Sequence, residues 1–198
     1  MTRSQIVDWA LSLYEDLDFY QARQWASETP SGKAVGHLPV YAPREVIHAS
    51  KMLPVGIYGG GDQVEIIRGD AFYQSYICHI PRSVVELCQA GNFDFLSGVL
   101  FPSTCDVIRN LSGMWQLLKP EQYVRYVDLP QIGDPQLGSK FWGQEIRTLV
   151  RDLGEISGSP ANEDQLRESV ALFNESRQLI RALYEKRSKE PRRIRTEE

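Results

Sequence analysis

"FLSGVLFPSTCDVIRNLSGMWQLL", Phe95 to Leu118, sets an apolar run of strand length directly before a helical pattern. In its second half Val107, Ile108, Leu111, Met114, Trp115 and Leu118 recur at three- and four-residue steps, so one helix face is apolar. Ser103 and Thr104 are N-cap candidates and Asp106 suits a first turn, which predicts that Cys105 lies in that turn, at the carboxyl end of a strand.

The same alternation recurs on both sides of this segment. "VGHLPVY" (Val35 to Tyr41) precedes "PREVIHASKM" (Pro43 to Met52), "LPVGIY" (Leu53 to Tyr58) precedes a glycine turn, and "YVRYVDL" (Tyr123 to Leu129) precedes a long helix. Strands alternating with helices predict an α/β fold, a parallel sheet flanked by helices. Pro39 within the first run predicts an edge strand or a short one.

The ends of the chain are helical in pattern. Ile6, Trp9, Ala10, Leu13, Leu17 and Tyr20 predict one amphipathic helix from about Gln5 to Trp25. Trp142, Ile146, Leu149, Val150 and Leu153 mark a second, and Leu166, Val170, Phe173, Ile180 and Tyr184 a third, which Asn162 and Gln165 open as a capping box. With no strand between them, the last two are expected to pack with the first helix or to bridge toward something further. The chain thus divides into an N-terminal helical segment (1–30), an α/β domain (31–135), C-terminal helices (136–187) and a basic tail (188–198).

Composition excludes several classes. At 42% hydrophobic and 24% charged residues, 198 residues suffice for a packed core. A formal net charge of −4 and a pI near 5.5 argue against nucleic acid as a partner. The run "EKRSKEPRRIR" (Glu185 to Arg195) reads as a solvated helix end and tail. Asp8, Glu15, Asp16 and Asp18 interrupt the N-terminus, so it does not read as a signal peptide, and no apolar run has the length of a membrane span. A cytoplasmic protein with reduced thiols is expected, with no disulfide framework among Cys78, Cys88 and Cys105.

Of the three thiols, Cys78 and Cys105 both sit at helix starts, where backbone amides stabilise a thiolate. Open α/β sheets bind ligands at the carboxyl ends of their strands, which is where Cys105 falls. Spacing alone favours a buried structural role for both, since there is no C-x-x-C, zinc-finger or ferredoxin pattern. Cys88 falls on the apolar face of a helix that Gly91 ends, roughly 10 to 15 Å along it from Cys78, too far to share a metal centre. Glu45 and His48 share a helix face as an acid/base pair or a surface hydrogen bond. The glycines of "VGIYGGGDQVEIIRGD" (Val55 to Asp70) form a strand-ending turn or a close approach to a ligand. They make neither G-x-G-x-x-G nor a P-loop, so any ATP would be handled by another polypeptide.

"GHLPVYAPREVIHASKMLPVGIYGGGDQVEIIRGDAFYQSYICHIPRS" and "GVLFPSTCDVIRNLSGMWQLLKPEQYVRYVDLPQ" resemble the 2-hydroxyacyl-CoA dehydratase superfamily, and within it the C-type subunits of ATP-dependent benzoyl-CoA reductases, from Ile6 to about Pro191. The resemblance implies a flavodoxin-like α/β part with helical parts, and a [4Fe-4S] cluster held between domains near an acyl-CoA site. Cys78 in "SYICHIPRS" and Cys105 in "FPSTCDVIRN" match the first two cluster ligands, and Cys88 matches none. It also implies a paired catalytic subunit, ATP-hydrolysing electron-donor subunits, and reduction of benzoyl-CoA to a cyclic dienoyl-CoA. Members of the family are about twice as long, with a second α/β domain that brings a further cysteine, so this chain is expected to hold only part of the site. A 2-hydroxyacyl-CoA dehydratase subunit and a partner-binding domain without a cluster are the alternative readings.

Overall fold

The computed structural model describes residues 2–191. In chain order they form α1 (Arg3–Glu15), α2 (Tyr20–Glu28), β1 (Ala34–His37), α3 (Arg44–Ala49), β2 (Leu53–Gly56), α4 (His79–Ala90), β3 (Leu96–Pro102), α5 (Asp106–Leu118), β4 (Tyr123–Val127), α6 (Pro135–Ser157) and α7 (Glu163–Lys189). The four strands make one parallel sheet in the order β2-β1-β3-β4, which is the flavodoxin-like order. The fold class is therefore the α/β one that the alternating pattern predicts.

Both faces of the sheet are covered, because successive strand residues point to opposite sides. Ala34, Val99 and Phe101 face a core shared with α4 and α5, in which Phe93, Phe101 and Trp115 stack with ring centroids 5.4 and 5.6 Å apart. Val35, Leu100 and Val127 face a second core built with α3 and α6. Each buried Val, Leu or Phe among these contributes about 1.5–3 kcal/mol, so the two interior strands, β1 and β3, anchor the domain. The Trp115 indole donates to Gln122 Oε1 (2.8 Å), and Gln122 Nε2 donates to the Phe93 carbonyl (2.7 Å), so this core carries no unpaired polar group.

Several sequence expectations are corrected. The first helix is broken: Asp16 accepts from the Asp18 and Tyr20 backbone N–H groups, and Phe19, at φ 54°, turns its ring onto Phe93 and Phe95. Short acidic side chains compete with helical backbone bonding in this way. β1 is short, but it is an interior strand; β2, which carries Pro54, and β4 are the edges. α6 and α7 seat mainly on α3, and α2 seats on β2, so the packing of N-terminal on C-terminal helices is not the main one. The Asn162–Gln165 capping box at the start of α7 forms as expected. Of the basic tail, residues 192–198 lie outside the described residues. No helix among the described residues is long and apolar enough to cross a membrane.

Candidate functional site

Because all four strands are parallel, their carboxyl ends share one edge, and the helices that return from it begin there. Cys78 is the N-cap of α4 and Cys105 the N-cap of α5, two helices that pack against each other. Cys105 thus stands one position earlier than the sequence predicts. Ser103 and Thr104 are engaged elsewhere: Ser103 Oγ accepts from the Leu129 N–H (2.9 Å), and the Thr104 hydroxyl donates to the Pro102 carbonyl (3.1 Å). Neither cysteine makes a side-chain cap bond, so the first-turn N–H groups are left to any negative charge placed there. Both thiols are free and exposed, which removes the buried structural reading for this pair. Cys88 is fully buried, and burial pushes its thiol up to about 11, as its place on the apolar face of α4 requires.

One residue links the segments that carry the two thiols. Tyr73 is buried and its hydroxyl lies 3.4 Å from the Val107 carbonyl, in the first turn of the helix that Cys105 caps. Burial first, and then the facing Cys105 and Cys78 thiols, push the phenol up to about 12. α4 holds the long loop that carries Tyr73. Glu86 Oε2 accepts from three successive backbone N–H groups, Ile67 (2.9 Å), Arg68 (2.6 Å) and Gly69 (2.9 Å), while Arg82 pairs with Asp70 and reaches the Ser75 carbonyl (3.3 Å). Burial works against the ionised form of Glu86, but these three donors outweigh it and hold the carboxyl below its usual value. Gly59, at φ 80°, lies where a Cβ would meet Ser83 Oγ at 2.3 Å, so the close approach this glycine permits is to α4.

Two cavities adjoin at this edge. One, of about 730 Å³, has an apolar wall of Trp142, Ile146, Leu166 and Val170 and a polar side carrying Glu45 and Arg177. The other, of about 980 Å³, is lined by the glycine turn and by His79 and Ile80, next to Cys78. His37, Arg44 and Tyr58 line both. His37 ends β1, beside β3, at the point where strand order reverses and where α/β folds of this kind bind ligands. Only 5% exposed, it is pushed down to about 4 by burial, so its imidazole is neutral near pH 7. Its Nδ1 lies 3.5 Å from the Leu38 carbonyl.

The structure does not join Glu45 and His48 to each other. Glu45 is ion-paired with Arg177 of α7 at the wall of the first cavity, and His48 Nδ1 lies 3.0 Å from Ser169 Oγ, whose hydroxyl donates to the Glu45 carbonyl (2.8 Å). The two side chains therefore clasp α7 to α3. His37 and Tyr73 are site residues that no sequence motif singles out. For His37 the available signal is a lone histidine at the end of a buried strand, before Pro39; Tyr73 has no signal in the sequence.

Among the described residues no three of His, Cys, Asp and Glu converge to hold a metal ion. Two exposed thiols at neighbouring helix starts are of the ligand type that an iron–sulfur cluster takes, and two are fewer than a cluster needs.

Comparison with known proteins gives the family. Residues 39–198 match the family described as 2-hydroxyglutaryl-CoA dehydratase, D-component. The chain is 50% identical over 194 residues to the C-type subunit of benzoyl-CoA reductase from Thauera aromatica, covering 98% of this chain and 50% of that protein. It is 31% identical over 178 residues to lactoyl-CoA dehydratase subunit beta of Anaerotignum propionicum (90% of this chain, 45% of that protein). It is 29% identical over 146 residues to (R)-2-hydroxyglutaryl-CoA dehydratase, subunit beta, of Acidaminococcus fermentans (73% and 38%). The chain spans about half the length of the first two of these relatives. It belongs to the 2-hydroxyglutaryl-CoA dehydratase D-component family.

Proposed function

We propose that this chain is part of an acyl-CoA reductase subunit of the benzoyl-CoA type, in which Cys78 and Cys105 are two ligands of a [4Fe-4S] cluster. The observation that carries this reading is the pair of exposed, uncapped thiols at the starts of two adjacent helices, on the same sheet edge as both cavities. Half the residues in common with the C-type subunit of a benzoyl-CoA reductase favour that substrate over others. When bound, the cluster supplies low-potential electrons to the acyl group.

The chain's own residues bind and enclose. Trp142, Ile146 and Val170 give an apolar wall against which an aromatic acyl group excludes water, the condition under which strongly reducing electrons do not leak to solvent. Glu45, which faces that cavity under the Arg177 guanidinium, is the group for handling a proton there. The bond of His48 to Ser169 supports a clasping role for it instead. ATP hydrolysis belongs to separate electron-donor subunits, and the assembly is completed by a paired catalytic subunit.

A 2-hydroxyacyl-CoA dehydratase subunit is the second reading, favoured by the family and by the lactoyl-CoA relative. Assembled with its partner subunits and an electron donor under anaerobic conditions, the protein is expected to convert benzoyl-CoA to a dienoyl-CoA and to leave 2-hydroxyacyl-CoA thioesters unchanged. Dehydration without ring reduction would select the second reading.

A further inference from the structure

The His37 imidazole has two nitrogens and, among the described residues, one hydrogen-bond partner. Nδ1 faces the Leu38 carbonyl, which only accepts, so Nδ1 carries the proton. Nε2 is then an acceptor and has no hydrogen-bond partner among the described residues. No fully buried side-chain nitrogen or oxygen among those residues is left unpaired, so Nε2 is not sealed off, and His37 borders both cavities. A residue 5% exposed, at the strand-order switch point, thus presents one unused acceptor where the cavities meet. The cationic Arg44 beside it lines the same junction and opposes its protonation.

An acceptor selects what it faces. The thioester carbonyl also only accepts, and a phenyl ring offers neither O–H nor N–H. An acyl-CoA carries uncharged donors in its two pantetheine amides, its pantoyl and ribose hydroxyls and its adenine amine, and of these an amide N–H lies nearest the thioester. We propose that His37 Nε2 accepts a hydrogen bond from the pantetheine amide N–H nearest the thioester, so that the imidazole is the positioning residue that sets how far the thioester enters the cavity. This rests on the acyl-CoA reading given above.

The test is calorimetric binding by the full chain of benzoyl-CoA, of S-benzoyl-N-acetylcysteamine, which keeps one amide, and of S-propyl thiobenzoate, which has none. His37→Leu and His37→Asn are each expected to weaken the two amide-bearing ligands about five- to tenfold, the loss of one neutral hydrogen bond, and to leave the amide-free thioester unchanged. His37→Gln, whose Oε1 reaches the place of Nε2, is expected to bind within about twofold of the parent, and circular dichroism checks the fold of each variant. Equal binding by His37→Leu, or equal weakening of all three thioesters, would overturn the proposal while the acyl-CoA reading stands. No binding of benzoyl-CoA by the parent chain would overturn both. Loss for benzoyl-CoA alone would also overturn it, because the donor would then lie beyond the amide nearest the thioester.

Discussion

The Tyr73 hydroxyl lies 3.4 Å from the carbonyl oxygen of Val107, and this one contact ties the segment leading to Cys78 to the first turn of the helix that Cys105 caps. A long hydrogen bond of this kind is worth little, so Tyr73→Phe is expected to cost about 0.5 kcal/mol or less. Tyr73→Ala removes a buried ring and is expected to cost about 3–5 kcal/mol. Urea unfolding of the two variants checks both values. A Phe variant as destabilised as the Ala variant would show that the hydroxyl carries more than the geometry allows.

Thiol accessibility separates the three cysteines. In the folded, metal-free chain near pH 8, iodoacetamide is expected to modify Cys78 and Cys105 and to spare Cys88, which is fully buried and whose thiol is pushed up to about 11 by that burial. Peptide mass spectrometry before and after denaturation reads the pattern. Labelling of Cys88 in the folded chain at the rate of the other two would contradict the packing of α4.

Glu86 gives the loop a pH dependence. Its carboxyl is held below its unfolded value, so the stability it contributes is present above about pH 4.3 and is lost as pH falls through the lower folded value. Allowing for its partial exposure, Glu86→Gln is expected to cost about 1 kcal/mol at pH 7 and close to nothing at the acid end. Unfolding curves at the two pH values check this.

His37 acts in a higher window. Below its unfolded value of about 6.5 the unfolded chain takes up a proton that the folded chain refuses until about pH 4. Stability therefore falls as pH drops through that window, by about 2 kcal/mol between pH 7.5 and 5 from this group. His37→Leu is expected to remove that share of the drop. Parallel slopes for variant and parent would mean that His37 titrates freely.

The sheet was legible because β1 and β3 are covered on both faces, which forces continuous apolar runs between helical patterns. The break at Asp16–Phe19 was hidden because Leu13, Leu17 and Tyr20 keep a helical spacing across it. What breaks the helix is the Asp16 side chain, together with a ring contact from Phe19 to Phe93, far along the chain. The candidate thiols could be placed at helix starts from local signals alone. His37 could not be singled out in the same way: its importance depends on strand order, which puts β1 beside β3, and on two cavities formed by loops and helices distant in sequence.

Iron and acid-labile sulfide content decides whether Cys78 and Cys105 hold a cluster. Purified anaerobically with the partner subunits, the parent chain and Cys88→Ser are expected to carry equal iron and sulfide, while Cys78→Ser and Cys105→Ser each lose most of both without losing the fold. Full iron and sulfide in both the Cys78→Ser and Cys105→Ser proteins would remove these two thiols as ligands.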